Sequence, residues 1–95
     1  MFVISISYKV PFDRIEPHLD AHMQFLDRHY ASGHFLLSGR KVPRSGGVIL
    51  ARAGSKTEIQ TIIEEDPFYS ENLADFEIVE IAPSRAVPGL EILLE

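Results

Sequence analysis

The stretch FLLSGRKVPRSGGVILARA, residues 35–53, decides the fold. Two apolar stretches, FLLSGRKV (35–42) and VILARA (48–53), flank PRSGG (43–47). Proline and glycine between two apolar runs mark a hairpin turn, so the segment reads as two antiparallel strands. What lies on either side is helical. Upstream, Ile15, Leu19, Met23, Leu26 and Tyr30 recur at helical spacing, and Gly33 supplies a stop. Asp13 or Glu16 would accept from the free amides at the helix start, with Pro17 in the first turn, where its missing N–H costs nothing. Downstream, SKTE (55–58) reads as a capping box, with Ile59, Ile62 and Ile63 as the apolar face of a short helix.

Each end of the chain adds a strand. FVISISY (2–8) alternates with period two, as does DFEIVEIA (75–82). The order is β-α-β-β-α-β, an α+β chain with the ferredoxin-like split βαβ arrangement: an antiparallel sheet with helices on one face. Residues 1–95 read as one domain. The last ~10 residues, within PSRAVPGLEILLE, are apolar enough to dock as a tail, for example as an added strand. The other sheet face is uncovered within one chain, and a homodimer would cover it.

Composition narrows the function. The chain has no cysteine, which excludes disulfides, thiolate nucleophiles and cysteine-ligated metals. A net charge of −5 argues against nucleic acid, which calls for a basic face. No run is long and apolar enough to span a membrane, and the first residues lack the pattern of a secretory leader. A cytoplasmic protein is expected.

All four histidines, His18, His22, His29 and His34, fall within 17 residues. HLDAH (18–22) lacks the glutamate of a zincin motif, so no metal site is expected. His18, His29 and His34 read as solvated or half-exposed surface. His22 lies beside Met23 and Leu26 and should point partly inward, either as a hydrogen-bonded core histidine or as an acid–base group. EEDPF (64–68) places Asp66 at the C-terminal end of the second helix, where the helix dipole disfavours a negative charge. There it is either a turn former or a carboxylate paired with a proton donor. If it faces His22, it would fix the imidazole tautomer. Ser38 and Arg40 share a strand face with Leu36 and Val42. Arg40 could grip an anionic substrate by a bidentate contact, or serve as a charged edge that resists aggregation. Tyr8 and Tyr69 could lend hydroxyls to a pocket.

HMQFLDRHYASGHFLLSGR (22–40), followed by EEDPFYSENLADFEIVEI (64–81), resembles the YciI-like (YCII-related) family across roughly residues 2–83. The resemblance implies a dimeric α/β-barrel protein with a ferredoxin-like protomer. It also implies a His–Asp pair in a cleft between helices and sheet, which falls on His22 and Asp66. Two departures, Gly39-Arg40 where many relatives carry Gly-Pro and a short connection after the second strand, would reshape the pocket mouth. The function implied is a cofactor-free enzyme in which His22 and Asp66 transfer a proton, by elimination or isomerisation, on a small organic substrate held by Ser38 and Arg40. The alternative is a non-catalytic dimeric protein that binds a small ligand in the same cleft.

Overall fold

The computed structural model describes residues 1–94. The chain runs β1 (Phe2–Tyr8), α1 (Phe12–Ile15), a 3-10 turn (Glu16–His18), α2 (Leu19–Ala31), β2 (Phe35–Arg40), β3 (Gly46–Ala51), α3 (Lys56–Ile63), α4 (Pro67–Ser70) and β4 (Ala74–Glu80). The strands form one antiparallel sheet in the order β2-β3-β1-β4. The central strands, β1 and β3, come from opposite halves of the chain, which is the split βαβ arrangement expected from the sequence.

Period-two alternation sets which side of the sheet is dry. Phe2, Ile4 and Ile6 of β1 are buried, and the register places Ile4 between Ile49 of β3 and Ile78 of β4. Ile15, Phe25 and Leu26 cover this face from one side, and Ile59, Ile62 and Ile63 of α3 from the other. Burying a side chain of this size stabilises the fold by about 1.5–3 kcal/mol relative to exposure. On the opposite face, Val3 pairs across to Leu50 and Val79, and Leu37 pairs to Leu50. Leu37, Val48 and Val79 are exposed there.

The two helical segments begin differently. Ser55 caps α3 by accepting from the Glu58 N–H at 3.2 Å, worth about 1 kcal/mol. The box is not closed reciprocally, because the Glu58 carboxylate turns to His34 Nε2 at 3.0 Å. Upstream, neither Asp13 nor Glu16 caps a helix: Pro11 precedes α1 and no side chain caps it. The expected single helix is divided into α1, a 3-10 turn that contains Pro17, and α2. The buried stripe is also displaced from the expected one. Ile15, Phe25, Leu26 and His29 face the core, while Met23 and Tyr30 are exposed.

Two backbone details shape the cleft. In β2 the register shifts between Phe35 and Leu37, which inserts one extra residue. Phe35 pairs with buried Ala51, and after the bulge Ser38 pairs with buried Ile49. The bulge therefore keeps Phe35 in the core and still turns Ser38 and Arg40 to the helix side, while Leu36 leaves the face the sequence had given it. At the start of β3, two residues earlier than expected, a Cβ on Gly46 would lie 1.8 Å from the Ile6 carbonyl oxygen. Only glycine lets β3 approach β1 so closely.

Among the described residues after Glu80 the tail adds no strand. It includes a 3-10 turn (Glu91–Leu94), and Val87, Leu90, Ile92 and Leu94 are exposed. No described helix is long and apolar enough to cross a membrane.

Candidate active site

Asp66 is not at the end of a helix that disfavours it. Helix α3 ends at Ile63, and Asp66 is the N-cap of the one-turn α4 that follows. Its Oδ1 accepts from the Phe68 N–H at 3.0 Å, and Pro67 occupies the first position of the turn, where its fixed φ suits the helix. The dipole argument made from the sequence is thus reversed: a carboxylate at this position is favoured. A glutamate-rich run followed by Asp-Pro reads equally as the end of one helix or the start of the next.

The same Oδ1 lies 2.9 Å from Nδ1 of His22 on α2. The Asp66 side chain is 0% exposed and that of His22 is 13% exposed. An oxygen that already takes a backbone N–H acts as an acceptor, so Nδ1 carries the proton and donates it. Nδ1 is thereby engaged, and Nε2, with a free lone pair and no partner among the described residues, is what His22 offers. Phe68 also stacks on the imidazole, with centroids 4.1 Å apart and planes at 10°. Asp-Pro-Phe therefore supplies both the carboxylate that orients the ring and the aromatic platform beneath it. The second carboxylate oxygen, Oδ2, is buried without a hydrogen-bond partner.

His22 opens onto a cleft of about 280 Å³ between α2 and the β2–β3 side of the sheet. Leu19, Met23 and Leu26 line one wall, and Ser38 and Arg40 line another. Ser38 Oγ is 2.6 Å from the Tyr30 hydroxyl, so a residue expected in the core instead braces a wall of the cleft. Tyr8 lines the cleft, with its ring edge-on to Phe68 at 5.8 Å. Tyr69 packs on Phe76 and does not line it. Arg44, in the turn between β2 and β3, lines the cleft as well, with its guanidinium 4.3 Å from the centroid of the Phe12 ring.

Of the other histidines, His18 and His34 are half-exposed as expected, and His29 departs from the surface reading. His29 is buried against the rings of Phe25 and Phe35, and its Nε2 lies 3.0 Å from Glu65. Its place one turn after Phe25 and Leu26 was the signal available in the sequence. His34 bonds both Ser32 and Glu58. Among the described residues no group of three or more His, Asp or Glu side chains is placed to hold a metal ion.

A model of the YCII-related domain matches residues 1–83. One solved structure with the same fold is 5-chloro-2-hydroxyhydroquinone dehydrochlorinase from Burkholderia phenoliruptrix AC1100, in complex with 2,5-dihydroxybenzoquinone. The two superpose with a TM-score of 0.71 at 17% identity, over 85% of this chain and 93% of that one. At that identity the likeness speaks for the fold. No curated protein is significantly similar to the chain in sequence. With a four-stranded sheet in split βαβ order and a domain model that spans nearly its whole length, the chain belongs to the YCII-related family.

Proposed function

We propose that the cleft is the active site of an acid–base enzyme acting on a small oxygenated organic substrate. His22 Nε2 takes a proton from carbon, and Asp66 holds the ring in the tautomer that leaves Nε2 free. When Nε2 is protonated, the buried carboxylate faces the new imidazolium and stabilises it. The electron pair left on carbon then expels a leaving group, which is elimination, or is protonated elsewhere on the substrate, which is isomerisation. Neither outcome requires a cofactor. Ser38 and Arg40 bind the substrate from the opposite wall. The observation that carries this reading is the 2.9 Å contact between a fully buried carboxylate and a histidine that lines a cleft. A base so placed contributes roughly 10²–10⁴ in rate, and positioning in a confined cleft supplies more. The solved neighbour is a dehydrochlorinase, and loss of hydrogen chloride is an elimination of this kind.

The working unit is a homodimer. The uncovered sheet face carries Val3, Leu37, Val48, Leu50 and Val79, and a second copy would remove this apolar strip from water. Residues 1–95 act as one domain.

The test is turnover of a panel of chlorinated hydroxyquinols, read by chloride release, and of unsaturated lactones, read by deuterium incorporation from heavy water. The wild type should turn over at least one class, and His22→Asn should not. Equal rates in the two proteins would remove His22 from the chemistry and favour a binding role for the cleft.

A further inference from the structure

The charge of the cleft runs against that of the chain. The sequence has 14 acidic residues and 9 lysines and arginines, yet among the described residues no aspartate or glutamate lines the cleft. The ionisable side chains with full or potential positive charge there are His22, Arg40 and Arg44. Asp66 is sealed behind the imidazole. Outside the cleft, Lys9 pairs with Asp75 and Arg28 with Glu65. Among the described residues neither Arg40 nor Arg44 has a carboxylate partner.

Arg40, Lys41 and Arg44, close in sequence, do not all face the cleft. Lys41 donates to Ser7 Oγ at 3.0 Å and does not line the cleft. Arg40 is brought round by the bulge in β2. Arg44 holds its guanidinium carbon 4.3 Å from the centroid of the Phe12 ring, and no hydrogen bond or ion pair engages its N–H donors among the described residues. Two forked donors sit in a mostly apolar cleft that also contains the flat His22–Phe68 stack. Such a site suits a ligand that is apolar and planar over most of its surface and anionic at one end.

We infer that the cleft selects small planar organic anions, carboxylates or enolates, whose charged oxygens are held by Arg40 and Arg44 together. Arg44 is the added specificity determinant. The inference rests on the reading of this cleft as a substrate site and names the class of compound it takes. An acidic protein repels anions at long range, so the local reversal of charge also guides them to the one place where they are held.

The probes are benzoate and benzamide, nearly the same shape and different in charge, titrated calorimetrically into the full chain. The wild type should bind benzoate about tenfold more tightly than benzamide, the size expected of one charge-assisted contact. Arg44→Gln and Arg40→Gln should each remove most of that preference while benzamide affinity stays unchanged, and Arg44→Lys should fall between. If a glutamine variant does not fold, salt serves instead: raising it should weaken benzoate and spare benzamide. Equal affinity for the two probes, no benzoate binding, or full preference in both glutamine variants would overturn the inference. Binding is read without turnover, so the result does not depend on proton transfer. His22→Asn should lose catalysis and keep the preference for benzoate. Loss of the preference alone would sink the anion subsite, and catalysis that survives His22→Asn would sink the acid–base reading.

Discussion

Two histidine–carboxylate pairs stand between the same helical regions, and they differ in the burial of the carboxylate and in what the imidazole faces. His22 and Asp66 are 2.9 Å apart, His29 and Glu65 3.0 Å. In the first pair the carboxylate is sealed, 0% exposed, and the imidazole lines a cleft. In the second the imidazole, 11% exposed, packs against the rings of Phe25 and Phe35 and lines no cleft, and the carboxylate, 44% exposed and shared with Arg28, meets water. The nitrogen engaged differs too: Nδ1 in His22, Nε2 in His29. Distance alone does not make an acid–base group. A buried, backbone-anchored carboxylate and a free ring nitrogen facing a cavity do, and only the first pair has both.

The largest expected effect separates the pairs by rate. In His22→Asn the amide can still donate to Asp66 where Nδ1 did, but nothing replaces Nε2. Turnover of a substrate found by the panel above should fall by about 10²–10⁴, while His29→Asn leaves it near the wild-type value. Comparable losses in both variants would mean that the two pairs are not functionally distinct.

Stability should separate them next. His22→Leu strands a buried carboxylate whose Oδ2 already lacks a partner, and should cost about 3–5 kcal/mol in urea unfolding. His29→Leu removes a buried ring whose Nδ1 is itself unpartnered and leaves Glu65 to solvent and Arg28. Its cost should stay below about 1 kcal/mol. If the order were inverted, the burial argument would fail.

The carboxylates give the smallest contrast. Asp66→Asn keeps an oxygen for Phe68 N–H but puts amide hydrogens where Oδ2 finds no acceptor, a loss of about 1–3 kcal/mol. Glu65→Gln, at the surface, should stay within about 0.5 kcal/mol of wild type. Both are readable as shifts of the urea midpoint at constant slope.

Strand alternation and the Ser55 cap made the fold legible, because each is a local signal with a fixed period or offset. Asp66 and His22 were legible as residues to watch, but the N-cap that anchors the carboxylate was not. Asp66-Pro67 closes one helical segment and opens another, and sequence does not distinguish the two. The bulge in β2 left no mark either. Leu36 and Leu37 are alike, and only the pairing of Leu37 with Leu50 reveals that Leu36 is the extra residue. His29 was misplaced because burial was read from residue type. Tyr30, apolar in name, braces Ser38 at the cleft wall, while His29 fills the core one residue earlier. Arg44 became part of the site only when the turn after β2 brought it over Phe12.

The central claim, that Asp66 fixes His22 with Nε2 free, is tested most directly by long-range proton–nitrogen NMR correlation of the histidine rings in the neutral state. The account predicts that His22 is held as the Nδ1–H tautomer with an unprotonated Nε2. His29, in the same spectrum, should be the Nε2–H tautomer bonded to Glu65. A His22 ring protonated at Nε2, or averaging between tautomers as a free imidazole does, would contradict it.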